Sequence, residues 1–321
     1  MTANPRLLRA QTFVEVDGLA AAIAGGLEAE WVQLESKPFA AEHVVARLAD
    51  VVIQIVREDA AVARRIRVPD RTWLFLVPLA VSESARWNAH GVDDRDLFVH
   101  APGSECYGFD PAGTVFAVIT VAEHSRLAIL AGSALTGHMR ECTLVSRTRD
   151  AEMLRGRLDQ LCAAGSHALD RDAIQRGILA ALDRCLQHAM KPEPRVRESD
   201  RKRVVRRAEE FFRSHIGERV SAAQLSSAAS VSERHLRNAF YDVYAISPMR
   251  YLRLWQLHQV RRALRSPIRA TSVTDVATSH GFYELGRFAG EYKALFGESP
   301  SETLGRRAPL PSSAPAYSGM R

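Results

Sequence analysis

"AQLSSAASVSERHLRNAFYDVYAISPMRYL", Ala223–Leu252, and "TDVATSHGFYELGRFAGEYKALFGESPSETL", Thr274–Leu304, are two copies of one pattern. Leu225 falls on Val276, Ser230 on Gly281 and Val231 on Phe282. After one inserted residue, Leu236 falls on Phe288, Phe240 on Tyr292 and Tyr244 on Phe296. Ser247–Pro248 and Ser299–Pro300 close the two copies, followed by Leu252 and Leu304. Each copy reads as a short helix, a tight turn and a longer helix opened by a polar residue. That is the grammar of a helix-turn-helix, whose second helix can enter a DNA major groove. One such pattern is weak, because helical hairpins are common; two in register decide an all-α domain over residues 201–305.

Between the copies, "PMRYLRLWQLHQVRRALRS", Pro248–Ser266, reads as a single helix with proline in its first turn. Leu252, Trp255 and Leu264 can face inward, while Arg250, Arg253, Arg261 and Arg262 lie mostly elsewhere. A rigid helix here would fix the separation of the two units, so that both could enter successive major grooves, about 34 Å apart.

On a helical wheel of about 100° per residue, Leu236, Phe240 and Val243 form the core side of the first long helix. Arg234, Asn238 and Tyr241 fall opposite, flanked by His235 and Arg237. Arginine and asparagine suit base reading because each makes two geometrically fixed hydrogen bonds, to guanine O6 and N7 or to adenine N6 and N7. In the second copy Phe288, Tyr292 and Leu295 form the apolar side. The opposite face carries Gly286, Gly290 and Lys293, with Arg287 at its margin. Two glycines on an exposed helix face cost about 1 kcal/mol each relative to alanine, so their presence calls for a reason.

Charge is distributed unevenly. From Arg195 to the end there are 22 Lys and Arg against 12 Asp and Glu, leaving 21 against 25 for residues 1–194. A basic rear half points to a polyanionic partner such as DNA.

The front half reads as short strands separated by turns. "VVIQIV" (Val51–Val56), "WLFLV" (Trp73–Val77), "DLFVH" (Asp96–His100) and "VFAVITV" are rich in β-formers, and Val115, Ala117, Ile119 and Val121 alternate along one face. "VPD", "NAHG", "APGS" and "DPAG" punctuate them. The expectation is a small sandwich or barrel over residues 1–145. Residues 146–190 carry two helical patterns, including Ile174, Ile178, Leu182 and Leu186, expected to pair as a hairpin that packs on the barrel or supplies a dimer interface. "KPEPRVRESD", residues 191–200, reads as a linker, and residues 306–321 as a disordered tail.

The four cysteines, Cys106, Cys142, Cys162 and Cys185, are scattered without a C-x-x-C pair. His90, His100 and His124 lack the clustered spacing of a metal site, so no metal and no cofactor is expected. No apolar run approaches a membrane span and no signal peptide is evident, so a cytoplasmic location is expected. No P-loop, G-x-S-x-G or H-E-x-x-H occurs, and no enzymatic activity is expected. Trp73, Phe75, Trp87 and Tyr107 are the candidate lining of an effector pocket, with ordinary core packing as the competing role.

The repeat, the linking helix and the closing "FGESPSETL" resemble the DNA-binding domain of AraC/XylS-family transcription regulators. "ARWNAHG…DLFVHAPGSECYGFDPAG" resembles the sensor region of a subgroup that includes ethanolamine-utilisation regulators. The resemblance implies an α+β chain: a cupin-like β-barrel with a helical hairpin, then an all-α domain with two helix-turn-helix units. It implies a regulator, usually an activator, with DNA, RNA polymerase and a small-molecule effector as partners; a homodimer is expected only from the helices of residues 150–190. It also implies that Arg234, Arg237 and Asn238 read bases. The chain departs from the family at Gly286, where a polar residue is common, and at Gly290, where a basic one is. The expected division of labour is base reading by the first unit, with close docking by the second and phosphate contacts from Arg287 and Lys293. Two other readings exist: control by a protein partner, and a DNA-repair methyl-acceptor enzyme, against which the dispersed cysteines argue.

Overall fold

The computed structural model describes residues 8–23, 27–48, 51–123, 125, 142–146, 149–163, 171–189, 200–266 and 272–306. The proposed linker up to residue 199, the connection of the helical hairpin and the tail beyond residue 306 lie outside the described residues. In chain order the front half runs β1 (Leu8–Phe13), α1 (Val16–Ile23), β2 (Glu28–Gln33), β3 (Ala41–Leu48), β4 (Val51–Glu58), β5 (Val62–Arg67) and β6 (Thr72–Ala80). It continues with β7 (Arg86–Trp87), β8 (His90–Gly91), β9 (Asp96–His100), β10 (Glu105–Asp110), β11 (Val115–Ala122), β12 (Cys142–Ser146), α2 (Arg149–Ala163) and α3 (Arg171–Ala189). The rear half is α4 (Asp200–Ser214), α5 (Ala222–Ala228), α6 (Glu233–Tyr244), α7 (Pro248–Arg265), α8 (Val273–Ser279), α9 (Leu285–Phe296) and α10 (Pro300–Gly305).

The β-rich front domain has the expected cupin-like character, but its strands do not close into one barrel. They form a seven-stranded sheet, β1-β3-β4-β11-β6-β9-β12, and a five-stranded sheet, β2-β5-β10-β7-β8. Period-two alternation sorts the side chains among three separate cores. Along β11, Val115, Ala117, Ile119 and Val121 face α2 and α3, packing with Leu154, Leu158, Ile178 and Leu182. Phe116 and Val118 face the other way, between the sheets, with Trp31, Leu74, Leu76 and Trp87. A strand buried on both faces reads as a continuous apolar run, which is why "VFAVITV" was legible. The hairpin of α2 and α3 therefore spends its apolar face on the large sheet.

The five-stranded sheet is two-sided in the same way. Trp31, Arg64 and Cys106 point between the sheets, while Val32, Ala63 and Tyr107 point outward onto α4, α6 and α7. The order of layers is thus hairpin, large sheet, small sheet, helical domain.

In the helical domain the two copies share their turn and the ends of their long helices at the backbone, although Ser232 caps the first long helix and Glu284 makes no such bond at the second. Val231 N–H donates to Ser226 C=O at 3.0 Å and, in the second copy, Phe282 N–H donates to Ala277 C=O at 3.0 Å. The aligned turn residues Ser230 and Gly281 both have positive φ, 57° and 85°. The long helices end alike, on Ala245 and Gly297, both left-handed. Ser247 and Ser299 both cap the helices that follow, each with proline in the first turn. Among the described residues no helix is long and apolar enough to cross a membrane.

Candidate nucleic-acid interface

Helix α6 presents one face because its other face is locked. Leu236, Ala239, Phe240, Val243 and Tyr244 are buried. Tyr244 stacks on Tyr251 with ring centroids 4.4 Å apart, and its hydroxyl donates to Glu209 Oε1 at 2.7 Å. Ser232 caps the start, accepting from His235 N–H at 3.2 Å. The face left open carries Arg234, His235, Arg237, Asn238 and Tyr241, all exposed. Among the described residues no carboxylate pairs with Arg234 or Arg237, so their guanidinium groups point to solvent unneutralised.

The register of the repeat carries this face onto α9. With Leu236 on Phe288, Arg234 falls on Gly286, Asn238 on Gly290 and Tyr241 on Lys293. Phe288, Tyr292 and Leu295 hold the buried side, and Gly286, Arg287, Gly290 and Lys293 are exposed. A Cβ added at Gly286 or Gly290 would meet no atom within 4 Å. Internal packing therefore does not demand glycine at either position. Arg287 Nε lies 2.9 Å from Glu291 Oε1, one turn along the helix. Glu291 also holds Arg253 Nε at 2.6 Å. Burial pushes the Glu291 carboxyl up, but its bonds to Arg253 and Arg287 outweigh that and hold it below its ordinary value.

The two units are joined by α7, whose 18 residues span about 27 Å at 1.5 Å per residue. Its sides divide between the two cores: Tyr251, Leu252 and Trp255 pack with the first unit, Leu257, Val260 and Leu264 with the second. The helix is a rigid spacer of the kind the sequence predicts.

Sequence reasoning missed what the rest of α7 does. Its arginines meet carboxylates of the front domain: Arg261 reaches Glu15 at 3.3 Å, Arg262 reaches Asp17 at 2.7 Å and Glu30 at 3.1 Å, and Arg265 pairs with Glu15. Arg213 of α4 also pairs with Glu30. Part of the basic excess of the rear half is therefore matched inside the molecule by the acidic front. Burial raises the Glu30 carboxyl, but Arg213, Arg262 and the Trp255 indole together bring it down to about 2. The signal was present in the opposite charges of the two halves.

The four candidate effector residues do not converge. Trp73 and Phe75 lie in the core beneath α2 and α3. Trp87 lies between the sheets, its Nε1 donating to Asp110 Oδ1 at 2.7 Å. Tyr107 lies at the seam with the helical domain, its hydroxyl donating to Glu105 Oε2 at 2.8 Å. The polar feature between the sheets is another group altogether. Arg64 sits over Trp87 and Phe116, 4.6 and 4.2 Å from the ring centroids, and pairs with Asp110 at 2.6 Å. Glu58 accepts from Trp31 Nε1 at 2.7 Å nearby. Burial, reinforced by Asp110, pushes the Glu58 carboxyl up to about 8, against the opposing pull of Arg64 and Trp31.

A helix-turn-helix domain family matches residues 225–306. The chain is 37% identical over 102 residues to a probable thc operon regulatory protein of Rhodococcus erythropolis, covering 32% of this chain and 31% of that protein. It is 38% identical over 99 residues to XylDLEGF operon transcriptional activator 2 of Pseudomonas putida, covering 30% of this chain and 63% of that protein. It thus spans less than two thirds of either relative. Among solved structures it is similar to a probable AraC family transcriptional regulator from Rhodopseudomonas palustris, at 34% identity over 33% of this chain and 98% of that one, with a TM-score of 0.31. It is also similar to the AraC-like transcriptional activator CuxR, at 14% identity over 85% of this chain and 99% of that one, with a TM-score of 0.43. Through residues 225–306 the chain carries the helix-turn-helix domain of AraC/XylS-family transcription regulators.

Proposed function

We propose that the whole chain is a sequence-specific transcription activator whose front domain senses a small molecule. The observation that carries the DNA reading is the pair of open faces on α6 and α9, at equivalent positions of one repeat and joined by a rigid helix. On α6, Arg234, Arg237 and Asn238 read base edges, with His235 and Tyr241 completing the contact face. On α9, Gly286 and Gly290 let the backbone lie close to the duplex, while Arg287 and Lys293 contact phosphates. Glycines that the fold does not need, on a face it leaves open, fit a surface that something else must approach.

RNA polymerase is the proposed target of activation, and the outer face of the small sheet, packed on α6 and α7, is the proposed route from sensor to DNA-binding domain. The resemblance of residues 85–113 to the sensor of ethanolamine-utilisation regulators makes ethanolamine the first effector to test. Selection of bound duplexes from a random pool by the full chain tests the reading. Enrichment of a site with two half-sites about one helical turn apart is expected. Retention of DNA without any enriched sequence would contradict it.

A further inference from the structure

Between the two helix-turn-helix units lies a groove of about 360 Å³, lined by Arg219, Arg253, Tyr283 and Arg287 among others. It belongs to neither unit alone. Arg219 comes from the turn that leads into α5, Arg253 from α7, and Tyr283 and Arg287 from the turn and helix of the second unit. Tyr283 ties the sides together: its hydroxyl donates to the backbone C=O of Gly217 at 2.6 Å. Gly217 itself has φ +92°, and a Cβ there would stand 2.9 Å from the Ser279 carbonyl oxygen. The chain segment before α5 is thus pressed against the second unit, and the groove has a fixed width.

The groove holds a layered arrangement of charge and ring. Arg253 lies 4.1 Å from the Phe282 ring centroid and binds Glu291, so its charge is already satisfied. Arg219 lies 5.5 Å from the Tyr283 ring centroid and has no carboxylate partner among the described residues. Tyr283 is 52% exposed, so one side of its ring is open to the groove mouth. Arg287 shares Glu291 with Arg253, so one carboxylate serves two guanidinium groups. Three arginines against Glu284 and Glu291 leave an excess of one positive charge at the mouth.

We propose that this groove seats a single phosphodiester of the DNA segment that runs between the two major-groove contacts. Arg219 and Arg287 grip the phosphate and the Tyr283 ring lies against the adjoining sugar. Arg253 is a positioning residue, held by Phe282 and Glu291. The charge excess of one matches the single charge of a phosphodiester, and the groove spans the two units where continuous duplex would pass from one to the other. The proposal rests on the DNA reading above and adds a contact that carries no sequence information.

The test uses the full chain and a duplex chosen by selection, with single phosphates replaced one at a time by neutral methylphosphonates. At one or two adjacent positions between the half-sites, neutralisation should weaken the wild-type chain clearly more than it weakens Arg219→Ala, which keeps only Arg287 at the phosphate. Arg219→Ala should also lower the slope of log affinity against log salt by about one, equally on selected and random duplexes. Arg219→Lys, which keeps a cation there, should restore the slope. Coupling at no position, or a wild-type slope in Arg219→Ala, would overturn the groove contact while leaving the recognition helices intact. A groove that docks a polymerase subunit instead gives the same overturning result, because no polymerase is present. Failure of the wild-type chain to retain any duplex would overturn the DNA reading and the groove with it.

Discussion

The indole N–H of Trp255, on the helix that joins the two units, donates to the Glu30 carboxylate on β2 at 2.8 Å. Glu30 also receives Gln259 at 3.0 Å and pairs with Arg213 and Arg262. One carboxylate of the front domain therefore holds both α4 and α7. Beside it, Gln33 N–H donates to His258 Nε2 at 3.0 Å, and burial takes that imidazole down to about 4, so it is neutral and able to accept. Strand β2 and the spacer between the two helix-turn-helix units are thus joined directly by polar contacts.

Glu30→Gln should cost the chain about 2–4 kcal/mol, because it leaves two guanidinium groups beside a neutral amide in a largely buried site. The folded carboxyl titrates near 2, well below its ordinary value of 4.5. The contribution is therefore present above about pH 4.5 and is lost as pH falls toward 2. Urea unfolding at pH 7 and pH 3 reads both: the gap between wild type and variant should narrow at the lower pH.

Glu58 has the opposite sign. Its carboxyl is raised from 4.5 to about 8, so the folded chain holds a proton there that the unfolded chain releases. Stability from this group is full below about pH 4.5 and falls as pH rises through 8. Glu58→Gln keeps an acceptor for Trp31 and removes this titration, so its unfolding midpoint should decline less than that of the wild type between about pH 5 and 8 (roughly the interval between the two pKa values).

Gly290→Ala separates folding from binding. With open space around the added methyl, α9 should gain about 0.5–1 kcal/mol of stability. The same methyl stands on the proposed DNA side, so affinity for a selected duplex should fall. A rise in thermal midpoint together with weaker binding, read by calorimetry and fluorescence anisotropy, is the expected pair; a rise without weaker binding would remove the close-docking role.

The aligned turn residues Ser230 and Gly281 should respond oppositely to substitution. Ser230 holds φ 57°, a conformation glycine adopts more easily, so Ser230→Gly should stabilise by up to about 1 kcal/mol. Gly281→Ala should destabilise by about 1–2 kcal/mol, since φ is 85° and Gln256 Nε2 lies 3.3 Å from the new Cβ. Thermal unfolding of both variants checks the repeat at its tightest point.

The helical domain was legible because its two copies correct one another: a single pattern of Leu236 and Phe240 is ambiguous, but Phe288 and Tyr292 repeat it at the same spacing. Strands β4, β6, β9 and β11 were legible from their apolar runs. Strands β5 and β10 were not, for one physical reason. They are buried on one side against a core that contains Arg64 and Asp110, and on the other against a charged domain seam through Glu30, Arg65 and Glu105. Charges on both faces of a buried strand erase the alternation that marks a strand in sequence. The candidate effector-lining aromatics do not converge for a related reason: Phe75, Trp87 and Tyr107 are all fully buried, but in three different cores, and residue type does not say which core a buried side chain joins.

The proposed division of labour has α6 reading sequence while α9 docks. Competitive binding of Arg234→Ala and Lys293→Ala to a selected duplex and to a random one tests it directly. Arg234→Ala should lose about 1–3 kcal/mol on the selected duplex and little on the random one. Lys293→Ala should weaken both alike and lower the salt slope by about one. Equal losses on selected and random DNA for Arg234→Ala would contradict the account.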